Sequence, residues 1–529
     1  MNSELPALQK VADAIIAAAF GVDPATWPLT ELVYLAFMGA AAGAVFGFAL
    51  NFAGFFIFFE RRIAARMQSR IGPNRVGPQG LLQFMVDGLK CLFKEDLVPT
   101  EADQPLFRMA PYFVVLGMVL AFAAMPFSSA LIATDINIGI LFVLGVTSLV
   151  VIGVLMGGWG SNSKWALLGG MRSAAQVISY EIPAGLAAMT VIIISGSLSM
   201  QDLIAAQGGD GIVSWGIFHS PFTVAAFFVF FVAQLAEGNR TPFDLPEAES
   251  ELVSGYNTEY SGMRFLMFFL GEFANVWILC AVSVALFLGG WQIPFGTLED
   301  GMTPSPWLVG ATGPLFAVML AGASIPAAFI GVQIFRYRSR AHAAIDRAKI
   351  PGMAPGLTRM ALHGGLDGAM LVHLLAAVGL VGAAAFQLSG GFAETFEGIT
   401  GFAWAAVRAP IAINGLQFGV FVAKTLGLVF IVIQLRWTLP RIRVDQMMTL
   451  CWKYLVPISF ACMLGVLVWE LVVYAVPILG LIMRVAMFFV VVAVFAMYVK
   501  KIKASYDVDK DNYENFTGES AWHPPWKLV

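Results

Sequence analysis

The residues most suited to chemistry crowd into one short stretch. Between positions 237 and 272 stand seven acids, Glu237, Asp244, Glu247, Glu249, Glu251, Glu259 and Glu272, with two arginines, Arg240 and Arg264. If 246–253 is helical, Glu247 and Glu251 share a face four residues apart, where like charges repel. Carboxylates packed this closely and partly buried cannot all stay ionised, so the cluster can hold exchangeable protons. A solvated acidic loop is the plain alternative. Glu272 argues against it, because it falls one or two turns inside a hydrophobic stretch, where a carboxylate is costly and functional by default.

A second segment pairs charge with turn chemistry. Glu60-Arg61-Arg62 is followed by Arg66 and Arg70, then by the Gly- and Pro-dense run from Gly72 to Gly80, which enforces tight turns. From Leu81 to Glu95, the positions Leu82, Met85, Leu89 and Leu92 fall on one helical stripe, with Gln83, Asp87, Lys90 and Lys94 elsewhere. That is an amphipathic helix fit to lie among lipid headgroups. It reads either as an interfacial anchor or as the threshold of a site for an amphipathic, lipid-soluble molecule. Glu181 stands at the expected start of a hydrophobic helix, ahead of Pro183; alone, it is accounted for by the helix macrodipole. Lys424 lies inside another hydrophobic stretch and is expected to face a carboxylate or water, whereas Arg484, near a span end, is expected to snorkel.

Metal chemistry finds no footing in the pattern. Cys91, Cys280, Cys451 and Cys462 form no CxxC pair, and the five histidines are scattered, so zinc and iron–sulfur spacings are missing.

The elements that must position these groups are membrane helices. Hydrophobic residues make up 59% of the 529 and charged residues only 12%, against about 45–50% and about 25% for soluble chains. Stretches long enough to cross a core of about 30 Å run 32–59, 109–128, 137–158, 182–199, 217–236, 265–290, 313–335, 367–388, 412–435, 455–475 and 477–499. The expected fold is therefore an all-α polytopic bundle of about eleven spans with one interfacial helix. Of the 31 Lys and Arg, 27 fall in alternate connections, which puts the C-terminus in the cytoplasm and the N-terminus outside. The working surface, made of the long loops 60–108, 237–264 and 336–366, then faces the cytoplasm. A net charge of −3, with no basic run interleaved with aromatics, excludes nucleic acid as a partner. The first apolar run, Val11 to Phe20, is short and preceded by a single Lys10, so no cleaved signal peptide is expected.

At the level of motifs the chain resembles a known family. Glu60-Arg-Arg through Arg70-Ile-Gly-Pro-Asn-Arg-Val-Gly-Pro-Gln-Gly, Gln176-Val-Ile-Ser-Tyr-Glu181, Gly238-Asn-Arg-Thr-Pro-Phe-Asp-Leu-Pro-Glu-Ala-Glu-Ser-Glu-Leu with Asn257-Thr-Glu-Tyr-Ser-Gly-Met, and Arg441-Ile-Arg-Val-Asp-Gln-Met are similar to the H-subunit family of respiratory complex I, the proton-pumping NADH:quinone oxidoreductase. The resemblance implies a bacterial inner-membrane protein that binds no cofactor and has no catalytic residue of its own. Quinone would be the substrate, with NADH, FMN and iron–sulfur clusters in partner subunits. Those partners would be the B, D and I subunits of the peripheral arm and the A, J and K subunits of the membrane arm, together with membrane lipids. Carried over by position, Glu60, Arg61, Arg70, Asp87 and Glu95 should border the quinone passage. Glu181, Glu237, Asp244, Glu247, Glu249, Glu251, Glu259 and Glu272 should form the proton path, with Arg172, Arg240 and Lys424 as counter-charges.

The chain also departs from the family, whose members usually have eight spans and about two-thirds of this length. The family-like core covers 29–295 and 412–475, after an outer N-terminal segment at 1–28. A stretch at 296–411 interposes two spans, and 476–529 adds a helix and a cytoplasmic tail; these additions are expected to pack at the periphery. Two other readings compete: the membrane anchor of an energy-converting hydrogenase, which handles no quinone, and a free-standing ion transporter. The arginine–glycine–proline loop disfavours the first, and the lack of an internal repeat disfavours the second.

Overall fold

The computed structural model describes residues 30–77, 80–208, 211–246, 249–293, 298–299, 303–304, 404–475, 480, 482–493, 496–497 and 500. The expected spans at 313–335 and 367–388, the N-terminal segment and the charged tail lie outside the described residues. Among the described residues the long elements are all helices, joined by turns and loops, with one two-residue antiparallel ladder that sets Leu298 opposite Pro304 and Glu299 opposite Thr303.

The helices are α1 (Thr30–Met67), α2 (Gln83–Phe93), α3 (Gln104–Ala124), α4 (Gly139–Gly160), α5 (Lys164–Ser195), α6 (Met200–Ala205), α7 (Pro221–Glu237), α8 (Glu249–Leu252), α9 (Gly262–Phe287), α10 (Trp404–Thr438), α11 (Val444–Thr449) and α12 (Val456–Ala475). The apolar helix α13 (Ile482–Ala493) follows. Nine of the eleven expected spans thus have a helix among the described residues, and six of these helices are long and apolar enough to cross a membrane. The stripe of α2 faces outward: Leu82, Met85, Leu89 and Leu92 are all exposed, and no residue of that helix is fully buried.

Two expectations need correction. First, α5 begins at Lys164 and not near 182, so Glu181 stands eighteen residues into a 32-residue helix and caps nothing. Pro183 lies inside that helix, where a proline leaves the carbonyl four residues back without its usual N–H donor. That carbonyl belongs to Ser179, and the Cys451 thiol donates to it at 3.1 Å. The neighbouring Tyr180 hydroxyl donates to the Met447 carbonyl at 2.9 Å. Second, the last family-like span begins at 444 and not at 455: α11 runs through a π-helical turn, Leu450–Leu455, directly into α12.

The core is centred on Trp277 of α9, fully buried. Its indole meets Phe52 of α1 at 4.7 Å, Phe122 of α3 at 5.1 Å, Phe127 at 5.7 Å and Phe421 of α10 at 6.4 Å between ring centroids. Such pairs contribute about 0.5–1.5 kcal/mol each beyond area burial, so one side chain fixes four elements. A smaller cluster on the loop side stacks Phe107 on Tyr260 at 4.1 Å, and the Tyr260 hydroxyl donates to the Phe107 carbonyl at 3.0 Å.

Helices α4 and α5 meet through glycine. A Cβ added at Gly158 would stand 2.7 Å from the Ala166 carbonyl oxygen and 3.1 Å from the Gly170 Cα, whereas one at Gly145, on the same helix, would meet nothing within 4 Å. Close backbone approach of this kind is how helices associate where no hydrophobic effect drives them. Gly158→Ala is therefore expected to cost about 1–3 kcal/mol and Gly145→Ala to be neutral or stabilising, as read from the melting temperatures of the detergent-extracted variants. Equal melting temperatures would contradict the packing described.

Candidate functional site

At the foot of the bundle four charges form a row. Arg240, in the turn after α7, is 2% exposed. Its Nη1 lies 3.8 Å from Glu60 of α1, its Nη2 lies 3.3 Å from Glu272 of α9, and its guanidinium covers the Phe273 ring at 4.1 Å. Arg436, in the last turn of α10, is paired with Glu60 in turn. Two carboxylates and two guanidiniums thus alternate as Arg436, Glu60, Arg240, Glu272, from the partly exposed end inward. Removing one member of such a buried set leaves another charge uncompensated.

The sequence builds this turn locally. Helix α7 ends at Gly238, and Asn239 takes a positive φ of 49°, a conformation that Asn tolerates better than most residues. Gln176 of α5 then holds the turn: its amide donates to the carbonyls of Ala236 at 2.7 Å and Phe243 at 2.8 Å, with Asn239 Oδ1 at 3.2 Å. Asp244 is fixed by Arg441 at 3.0 Å, and the Ile442 N–H donates to the Pro242 carbonyl at 3.0 Å. Beside Arg240 lies a small cavity lined by Gln234, Cys280, Ser283 and Val432, with room for about one water molecule.

A polar track continues from the turn toward α4 and α5. Glu237, 3% exposed, is reached by the Gln234 amide at 3.3 Å, and nearby on α4 the Thr147 hydroxyl donates to the Leu144 carbonyl at 2.9 Å. Ser148, next on α4, donates to Glu181 at 2.8 Å. Glu251 pairs with Arg172 at 2.9 Å but is 59% exposed at its side chain. Glu259 is half-buried. Glu247 and the side chain of Glu249 lie outside the described residues; of the stretch 246–253, Glu249–Leu252 is helical.

The sequence-derived threshold residues divide. Glu60 turns inward to Arg240. Arg61, next on α1, turns outward and donates to Asp87 of α2 at 2.6 Å, while Gln83 donates to the other carboxylate oxygen at 2.7 Å and Lys90 stands 3.6 Å away. Partial burial works to raise the Asp87 carboxyl, but the hydrogen bonds from Arg61 and Gln83 and the Arg61 and Lys90 charges outweigh it and hold the group below its ordinary 3.8. Arg70 donates to Gln68 at 2.6 Å, and Glu95 is exposed. Lys424 departs from expectation. Among the described residues its ammonium meets no carboxylate but donates to the carbonyls of Leu288 at 2.7 Å, Gly290 at 3.0 Å and Gln292 at 2.8 Å.

Sequence reasoning gave no site role to Arg436, Arg441, Gln176 or Gln234. Arg436 carried only the signal of a basic connection, and Arg441 and Gln176 stood in family-like motifs with nothing to say what they would meet. Gln234 sat in a hydrophobic helix with nothing to mark which way it faced.

A family model described as NADH dehydrogenase matches residues 40–347 and 369–467, and so takes in much of the stretch set apart at 296–411. The chain is 44% identical over 461 residues to the H subunit of NADH-quinone oxidoreductase from Anaeromyxobacter dehalogenans, covering 87% of this chain and 88% of that one. It is 38% identical over 448 residues to the H subunit, numbered 1, of the same enzyme from Koribacter versatilis, covering 83% and 91%. With the H subunit from Dehalococcoides mccartyi it shares 47% identity over 266 residues, 50% of this chain and 70% of that one.

Two outcomes follow from the geometry. Arg240→Met should destabilise the bundle by about 3–5 kcal/mol, seen as a lower melting temperature, and Arg240→Lys should recover part of it; a melting temperature unchanged by Met would contradict the buried row. The Asp87 clasp, whose folded pKa is depressed, contributes fully above the ordinary 3.8 and is lost only as pH falls through the lower folded value. Thiol labelling of Cys91 on α2, corrected for thiol ionisation, should therefore stay flat from about pH 8 to about pH 5 and rise in Asp87→Asn. A rise within that range in the unaltered protein would contradict the clasp.

Proposed function

Because the chain belongs to the NADH dehydrogenase family and is a multi-pass membrane subunit of NADH-quinone oxidoreductase, an oxidoreductase complex, we propose that it forms the membrane wall of the quinone chamber, seats the peripheral arm and passes the effect of quinone reduction into the membrane. The observation that carries this reading is the divergence of two consecutive side chains on α1: Arg61 reaches out to Asp87 on the amphipathic helix, and Glu60 reaches in to Arg240. A lipid-soluble substrate arriving along α2 would thus meet one end of a continuous charged row.

On this reading, quinone takes up two electrons and two protons to become quinol. The electrons come from a cluster in the docked partner, since this chain supplies no ligands of the usual spacing. Negative charge on the reduced ring precedes full protonation. At about 10 Å and an effective dielectric constant of about 20, it acts on a buried charge with about 1.7 kcal/mol, a change of more than tenfold in proton occupancy. Glu60 and Glu272 are the first groups able to respond, and Glu237 and Glu181, with Thr147 and Ser148, continue inward. The loops at 60–108 and 237–264 face the cytoplasm of a bacterial inner membrane, where the B, D and I subunits of the peripheral arm dock; A, J and K adjoin within the membrane. FMN, NADH and the iron–sulfur clusters reside in the partners.

In membrane vesicles, Glu272→Gln is expected to lower NADH-driven quinone reduction and proton translocation together by about tenfold or more. Glu251→Gln, at the exposed end of the loop, is expected to lower them less than about threefold. Unchanged quinone reduction and translocation in Glu272→Gln would overturn the assignment.

A further inference from the structure

The interior lysine meets main-chain carbonyls and, among the described residues, no carboxylate. Lys424 occupies α10, about three turns before Arg436, roughly 18 Å along the helix. All three protons of its ammonium are used by main-chain carbonyls of Leu288, Gly290 and Gln292, the segment that leaves the C-terminal end of α9. Its charge also lies 3.9 Å from the centre of the Trp215 ring. A helix C-terminus carries unsatisfied carbonyls and the negative end of the macrodipole, so a cation there is favoured. The segment is shaped for this contact. Gly289 and Gly290 take positive φ values of 69° and 48°, and a Cβ at Gly289 would stand 2.6 Å from the Trp215 ring. Gln207 completes the cap, donating to Ala285 at 2.9 Å and accepting from Gly289 at 3.0 Å and Gly216 at 2.9 Å.

Both helices joined by this clamp carry members of the charged row: α9 carries Glu272, and α10 carries Arg436. Sliding or rotating α10 against α9 would draw Arg436 from Glu60 and leave Glu60 with Arg240 alone of the row's two guanidiniums. We propose that Lys424 is a positioning residue for the reaction, which locks the register of α10 on α9 from the far end of the bundle and so holds Arg436, Glu60, Arg240 and Glu272 in their alternating contact. The proposal rests on the reading of that row as the coupling element.

The test uses the assembled enzyme in membranes, with rates expressed per assembled complex. Lys424→Met should lower kcat for NADH:quinone reduction by about tenfold or more with the quinone KM unchanged, because the threshold at Asp87 is untouched. Lys424→Arg, which can still donate to several carbonyls, should restore at least a third of the rate. Should Lys424→Met fail to assemble, Lys424→Gln takes its place with the same expected kcat loss. A kcat equal to that of the unaltered enzyme would overturn the proposal. So would a lower yield of complex whose kcat and KM are both normal, the mark of a merely stabilising contact. Glu272→Gln, measured beside these variants, separates the two ideas: a loss there with none in Lys424→Met rejects the clamp alone, while no loss in either rejects the coupling reading itself.

Discussion

A guanidinium buried to 2% exposure inside a membrane bundle constrains everything around it. Arg240 cannot be neutralised by losing its proton, as a lysine could, so the fold has to bring carboxylates to it. Glu60 comes from α1 and Glu272 from α9, and Glu60 then requires Arg436 from α10. Three long helices and one turn are thereby committed to a common point. The arrangement is neutral overall but unevenly held. The Arg240 contacts, at 3.3 and 3.8 Å, are looser than the 2.6 Å bond that ties Arg61 to Asp87.

The surrounding packing makes the row rigid at both ends. Below it, Gln176 secures the Arg240 turn by hydrogen bonds to two carbonyls, and the Arg441–Asp244 pair ties the same loop to the start of α11. Above it, the Trp277 aromatic cluster and the Lys424 clamp fix α9 against α1, α3 and α10. Between these anchors lie the small cavity beside Arg240 and the polar residues on α4 and α7.

Much of this was legible in the sequence because burial in lipid leaves a strong trace. Long apolar runs located α3, α4, α7 and α9 to within a few residues, and the period of Leu82, Met85, Leu89 and Leu92 marked the exposed face of α2. The failures have a common cause. The first half of α5 looks like a loop because Lys164, Gly169, Gly170, Arg172, Gln176 and Glu181 are polar or small, yet all of these except the exposed Lys164 face other helices and the acidic loop, where polarity and close approach are required. Pro183 strengthens the error, and the Cys451 thiol that offsets it lies 272 residues from the Ser179 carbonyl it serves. The acids and the cations Arg172 and Arg240 stand out in the sequence without showing which meets which; Arg436 resembles any basic residue near a span end, and for Lys424, expected to face a carboxylate or water, periodicity cannot reveal a cradle of carbonyls. Only folding tells which charge each ionised group meets.

The claim at the centre of the account is that reducing quinone changes the protonation or hydrogen bonding of the carboxyl groups around Arg240. The infrared difference spectrum of the purified complex, recorded between its oxidised and quinol-generating states, tests it directly in the carboxyl C=O stretching region. The account predicts a carboxyl difference band that is lost or shifted when Glu60 is replaced by Gln. A spectrum with the same carboxyl bands in both proteins would contradict it.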